Sequence, residues 1–298
     1  MTTSALIPAF QKDQALLDDI KLADETGNNF SIWWLGQSGF LLKWKTCHIL
    51  MDPYLSDSLT KKYLDTTNPH TRMSERVIDP AALGFVNIVS SSHNHTDHLD
   101  AESVVPILKA NPNVRFIIPE ANRKFVAERM GIDETMPMGL NDSTEIALGE
   151  IKFHGIVSSH NTIERDENGN PRYMGYVVEF SKWKVYHSGD TLLYPGMQER
   201  LQSFNVDLAL LPINGDKPSR GVAGNLNAKE AAQLAKSIGA KMVIPCHYDM
   251  FQFNTADPAE FATEAENIGQ PFTILRHGEK WNSDTLLHAF DKKQLNKA

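Results

Sequence analysis

The segment His93-Asn94-His95-Thr96-Asp97-His98 constrains this chain more than any other. Three imidazoles and a carboxylate within six residues are costly to bury together, because each polar group must find a partner of its own. A cation satisfies them at once. FVNIVSSS ahead of the segment reads as a short buried strand, and DAESVVPILKA behind it opens with Asp100, suited to cap a helix that Pro106 would bend. The cluster therefore falls at the carboxyl end of a strand, where α/β proteins commonly place their sites. In an extended stretch residues two apart point the same way, so His93 and His95 face one ion while Asp97 and His98 face another. A solvated surface loop would account for one such histidine, not for the group.

Around this segment the pattern is of strands followed by helices, twice over. SIWWLG, FLLKW and CHILMD are short β-rich runs separated by turn residues, expected to pair antiparallel. Residues 54–79 are polar, rich in threonine and without a sustained period, which predicts a loop bordering the active site. VRFIIP and EANRKFVAERMG repeat the strand and helix order, with Gly131 as the helix stop. The runs at 143–157, 173–180 and 183–187 form a second group of strands with a turn at ENGNP, followed by the strand VDLALLPI. NAKEAAQLAKSIG is then a helix capped by Asn227, KMVIPC a strand, and DPAEFATEAENIG a helix with Pro258 in its first turn. Two such blocks predict an α/β fold with two sheets packed together and helices outside. No repeat or linker interrupts it, so residues 1–298 read as one domain. Ile7, Phe10, Leu17 and Ile20 share one face of a helix over 7–23, with Asp13, Asp18 and Asp19 elsewhere on it, so residues 1–25 carry a helix that docks on the domain rather than on lipid.

The run His93 to His98 matches without a gap the His-x-His-x-Asp-His signature of the metallo-β-lactamase superfamily, which the chain thus resembles. The resemblance implies a four-layer αβ/βα sandwich, here with the added N-terminal helix, and three further ligands. His160, after the strand-like run 151–157, fits the third histidine of the first metal site, and His154 is read as an ordinary strand residue. Asp190 in YHSGDT fits the bridging carboxylate, with Gly189 permitting a close backbone approach and His187 behind the site. His247, after the strand ending at Cys246, fits the last ligand, and Cys246 points the other way as an inert core thiol. The implied set is His93, His95 and His160 on one ion, Asp97, His98 and His247 on the other, and Asp190 between them. Two divalent ions of zinc or manganese suit this mixed ligation, with iron and nickel also compatible. A water acidified by the ions would attack a carbonyl carbon or a phosphorus, with Asp97 as the catalytic residue that orients it and accepts or relays a proton.

WWLGQSGF, YHSGDT, PSRGVAGNLNAKEA and VIPCHYD are similar to the L-ascorbate-6-phosphate lactonase branch, which implies a lactone or related carboxylic ester of a small metabolite, phosphorylated or not. SSHNHTDHLD is also similar to the metal motif of N-acyl-phosphatidylethanolamine phospholipase D, so a phosphodiesterase is the alternative, and a non-catalytic metal-binding scaffold the third reading. Asn214, Lys217 and Arg220, in a loop after VDLALLPI, and Tyr248 beside His247 are candidate substrate contacts. Asp52, at a strand end, is read as supporting a ligand or forming a turn.

A net charge of −8 disfavours nucleic acid as a partner and favours a small molecule. Two cysteines make no disulfide framework, and neither a secretory leader pattern nor a membrane-length apolar run is present, so a cytoplasmic protein with no membrane partner is expected. A homo-oligomer is left open, with the N-terminal helix as one available interface.

Overall fold

Along the first strand, β1 (Ser31–Gly36), neighbouring side chains go to two different cores. Ile32 and Trp34 join a cluster that spans the space between two sheets, whereas Trp33 and Leu35 join a second cluster under the helices on the outside. A strand covered on both faces reads as a continuous apolar run rather than an alternating one, which is why SIWWLG shows no clean period. The structure, a computed structural model, describes residues 5–286.

β1 pairs antiparallel with β2 (Gly39–Trp44), and β2 with β3 (Cys47–Met51). From there the sheet continues parallel through β4 (Ile88–Ser90), β5 (Arg115–Pro119) and β6 (Met138–Leu140). The second sheet begins antiparallel with β7 (Glu145–Leu148), β8 (Ile151–Val157), β9 (Met174–Phe180) and β10 (Trp183–His187). It continues parallel through β11 (Leu208–Pro212) and β12 (Met242–Cys246). A last strand, β13 (Lys280–Asn282), returns to the free edge of β1 and completes the first sheet.

Parallel neighbours require crossovers, and helices supply them. In the first half these are α3 (Ala101–Ala110) and α4 (Arg123–Met130); in the second, α5 (Met197–Gln202) and α6 (Ala228–Ser237), after which α7 (Pro258–Asn267) follows β12. Their ends obey local chemistry. Asp100 and Asp257 accept from the backbone N–H two residues on, Asn227 and Glu230 form a reciprocal capping box, and Gly131 closes α4 in the left-handed region. The result is the four-layer αβ/βα sandwich expected from the sequence.

The N-terminal helix, α1, runs over Asp13–Leu22, shorter than the 7–23 expected. Pro8 disfavours helical backbone at the residue before it, and Ile7 instead bridges Ser74 while Phe10 stays exposed under the Arg276 guanidinium. The docking face is Leu16 and Ile20, with Leu17 partly covered. Lys43, fully buried on β2, holds this helix by donating to the carbonyls of Ile20, Lys21 and Ala23 at its end. Residues 1–4 of the expected 1–25 segment lie outside the described residues. The 54–79 stretch is irregular except for α2 (Ser58–Lys62), and Tyr54 and Leu59 pack with Met250 and Phe251 in a small cluster of their own.

Candidate metal centre

Strand ends of both sheets meet at one rim of the sandwich. The 93–98 segment follows β4 by two residues, His160 follows β8, Asp190 follows β10 and His247 directly follows β12. Together they form three groups, each with ligand atoms within 4.8 Å of one another: His93, His95 and His160; His93, His98 and Asp190; Asp97, His98 and His247. Asp190 Oδ2 sits 3.3 Å from His98 Nε2, 3.4 Å from His247 Nε2 and 3.8 Å from His160 Nε2, so it lies between the outer two groups. The 93–98 segment is a turn rather than the extended stretch expected, closed by the His98 and Leu99 N–H groups on the His95 carbonyl. Turning, not strand alternation, aims its side chains.

Close approach of the two halves depends on Gly189, at φ +58, where an added Cβ would lie 2.5 Å from Ser92 Cβ. Gln37, Asp52 and His247 are non-glycine residues that also have positive φ, a concentration of backbone strain that accompanies functional sites. Asp52, fully buried at the end of β3, accepts the Ser92 N–H at 2.7 Å and holds His98 Nδ1 at 2.6 Å. That bond turns His98 Nε2 toward the centre and makes it more basic. His160 is oriented likewise by its Nδ1 on the Gly224 carbonyl at 2.9 Å.

The electrostatics divide the histidines. Burial pushes His95 down to about 4 and His93 well below its ordinary value, which leaves neutral rings with lone pairs to offer. Burial opposes a charge on His98 as well, but the Asp190 and Asp97 carboxylates beside it, with the Asp52 bond at Nδ1, raise it well above its ordinary value. Asp190 is held well below the usual carboxylate range by His98 and His247 despite its burial. The centre is a sink for positive charge. His93 Nε2, His98 Nε2 and Asp190 Oδ1 are buried without a hydrogen-bond partner, an arrangement costing about 1–3 kcal/mol per atom. Orphaned imidazole nitrogens and a carboxylate oxygen facing one another form a donor set that fits divalent cations.

Residues 48–248 match the family model of the β-lactamase superfamily domain. A UPF0173 metal-dependent hydrolase of Rubrobacter xylanophilus is 30% identical over 79% of this chain and 89% of its own length, and one from Archaeoglobus fulgidus is 30% identical over 84% and 97%. The chain is a metal-dependent hydrolase of the metallo-β-lactamase superfamily. Its fold is also that of a metallo hydrolase from Ignicoccus hospitalis (TM-score 0.64, 21% identity, 86% of this chain and 98% of that one). An isothiocyanate hydrolase from Delia radicum gut bacteria has the same fold (TM-score 0.67, 16% identity, 84% and 98%).

The hydrolase opens its centre to solvent through a cleft of about 400 Å³. His95, Asp97, His160, Asp190 and His247 line its floor, Leu59, Tyr63, His70, Phe251 and Phe253 one wall, and Asn94, Thr96 and Arg129 are also exposed to it. The 54–79 loop thus borders the site, as its composition suggests. None of the four candidate substrate contacts lines the cleft. Asn214 is buried and bonded to Asn254 and Asn225; Arg220 donates to the carbonyls of Asn214 and Thr255 and to Asn254 Oδ1. Tyr248 sends its hydroxyl to the Leu275 carbonyl and packs on Trp34, and Lys217 is exposed ahead of a short 3-10 turn. The polar groups of Asn214, Arg220 and Tyr248 serve the scaffold because the chain itself supplies their partners.

The competitors behave as expected: His154 pairs with Glu179 away from the centre, His187 donates from Nε2 to the Ser38 carbonyl beneath it, and Cys246 is core. Sequence reading passes over Gln37, whose Nε2 lies 2.8 Å from Asp97 Oδ2, and Tyr173, whose ring packs 5.3–5.9 Å from those of His93, His95 and His160. Gln37 falls in a run that looks like turn material, and Tyr173 in one that looks like strand, so neither carries a local signal. His70 is a further omission: it stacks on Tyr63 at 4.1 Å and meets the Asn68 carbonyl through Nδ1.

Proposed function

We propose that this hydrolase opens a lactone, or a related carboxylic ester, of a small metabolite, phosphorylated substrates included, using two divalent ions of zinc or manganese. One ion would be held by His93, His95 and His160, the other by Asp97, His98 and His247, with Asp190 shared. The observation that carries this reading is the convergence of these side chains at one rim, with His95, Asp97, His160, Asp190 and His247 on the floor of an open cleft. When bound, such ions supply Lewis acidity and lower the pKa of water toward neutrality.

Asp97 is the catalytic residue. Its Oδ2 takes an N–H from Gln37, which leaves Oδ1 to accept a hydrogen bond from water, orient it and take up a proton. Asp52 keeps His98 in one tautomer and orientation, and Gly224 does the same for His160. Asn94, Thr96 and Arg129 give the cleft a polar part, with Arg129 Nη1 held by the Asn94 and Leu99 carbonyls, and Tyr63, Phe251 and Phe253 cover an apolar part of the substrate and exclude water. A volume near 400 Å³ suits a small molecule, and the ester preference rests on the lactonase-like motifs around Gln37, Asp190 and His247. The same reading takes residues 1–298 as one catalytic domain working in the cytoplasm, without nucleic acid or membrane; no helix among the described residues is long and apolar enough to cross a bilayer.

Metal analysis followed by a panel of lactone, thioester and phosphodiester substrates tests this. Lactone turnover that a chelator abolishes and zinc or manganese restores is expected. Cleavage of phosphodiesters alone would replace the ester reading with a phosphodiesterase, and bound metal with no turnover of any class would make the protein a scaffold.

A further inference from the structure

Gln37 sits in the tight turn between β1 and β2 and is fully buried, with φ +51. Its backbone oxygen accepts two donors, the Trp34 indole N–H at 2.9 Å and the His247 N–H at 3.0 Å, so the turn is clamped to the end of β12. The side chain reaches the same neighbourhood. Its Nε2 lies 2.8 Å from Asp97 Oδ2, and since an ionised carboxylate only accepts, the nitrogen end of the amide must face it.

The same nitrogen is 2.9 Å from His247 Nε2 and 3.3 Å from His247 Nδ1. A donor aimed along one ring lone pair would be far from the other nitrogen, and an in-plane approach to both would collide with the carbon between them. The amide therefore lies over the face of the imidazole, and the in-plane lone pair of His247 Nε2 stays free. On its other side the amide has no partner, since Oε1 is buried and unbonded. A buried amide satisfied on one end only is a net cost to the fold, so its benefit is sought in the groups it braces.

We infer that Gln37 is a positioning residue for the second metal position: its N–H fixes Asp97 Oδ2 while its amide plane shores up the His247 ring. It touches two of the three members of the Asp97, His98 and His247 group and none of the His93, His95 and His160 group. A carboxylate oxygen has two lone pairs, so the Gln37 bond and a cation are compatible at Oδ2. This inference rests on the two-ion reading above.

Zinc titration of the metal-free protein, followed by calorimetry or a chromophoric competitor, tests it without recourse to activity. Wild-type protein is expected to take up two ions. Gln37→Leu, similar in volume and without a donor, should bind the first as tightly and the second roughly 10- to 100-fold more weakly, the range for loss of a group that orients a ligand. Thermal unfolding of the metal-free variant should be unchanged or shifted upward, because an unsatisfied buried amide has been removed; a purely structural role would lower it. Where leucine's branching prevents folding, Gln37→Met, unbranched, carries the same expectation. Unchanged affinity for both ions, or equal weakening of both with a lowered melting temperature, overturns the inference while the two-ion reading stands. A wild-type protein that binds no zinc and no manganese overturns both.

Discussion

Two loops at strand ends hold many of the polar side chains that stand out in the sequence, and the fold uses them in opposite ways. The 93–98 loop after β4 closes on its own His95 carbonyl, takes Ser91 and Arg129 as donors to its His93 and Asn94 carbonyls, and leaves side-chain tips over, His93 Nε2 and His98 Nε2 among them. The loop at 214–220 after β11 spends its side chains on its own carbonyls and on Asn254, through Asn214 and Arg220. One is a site and the other a brace. Polar composition does not distinguish them; what does is which buried polar atoms remain unpaired once the chain has supplied all the partners it can.

The sharpest way to break this contrast is at the first loop. Asp97→Ala and His247→Ala should each lower kcat/KM on the order of 10²- to 10⁴-fold with an unchanged circular dichroism spectrum, and wild-type rates in purified Asp97→Ala protein would remove the site assignment altogether. Next in size is Asp52→Asn. Asparagine tolerates the positive φ of this position but lacks the charge that makes His98 basic, so metal affinity measured by competition should fall roughly 10- to 100-fold; equal affinity would mean that His98 needs no such support.

At the second loop the effect should move from function to stability. Arg220→Ala is expected to cost about 2 kcal/mol in denaturant unfolding, the scale of hydrogen bonds to a charged group, while kcat of the folded enzyme stays at the wild-type level. A kcat loss without a stability loss would return the loop to the substrate. The smallest effect belongs to Lys217→Ala, exposed at the start of the turn, where stability should change by less than about 0.5 kcal/mol and KM should not move.

Part of this was already written in local chemistry. Strand runs such as VDLALLPI, the Asp100, Asn227 and Asp257 caps and the glycine stop at Gly131 depend on neighbours within a few residues, and they appear in the structure where periodicity and cap chemistry put them. So does the 93–98 cluster, because its ligand-type residues are adjacent in the chain. The short edge strands β6 and β13 have too few residues to show a period, and α1 starts only at Asp13 because the N–H groups of Ile7 and Phe10 are taken by the Met73 and His277 carbonyls, partners far away in the chain.

Other features belong to the tertiary structure alone. His160, Asp190 and His247 each look like an isolated residue after a strand, and only the packing of one sheet against the other brings them to the rim that His93 to His98 occupies. Asp52 behind His98, Gln37 over His247 and Lys43 at the end of α1 act across dozens of residues of sequence. A hydrogen bond reaches about 3 Å, and whether two side chains come that close is a property of the folded layers, not of the residues that each one follows.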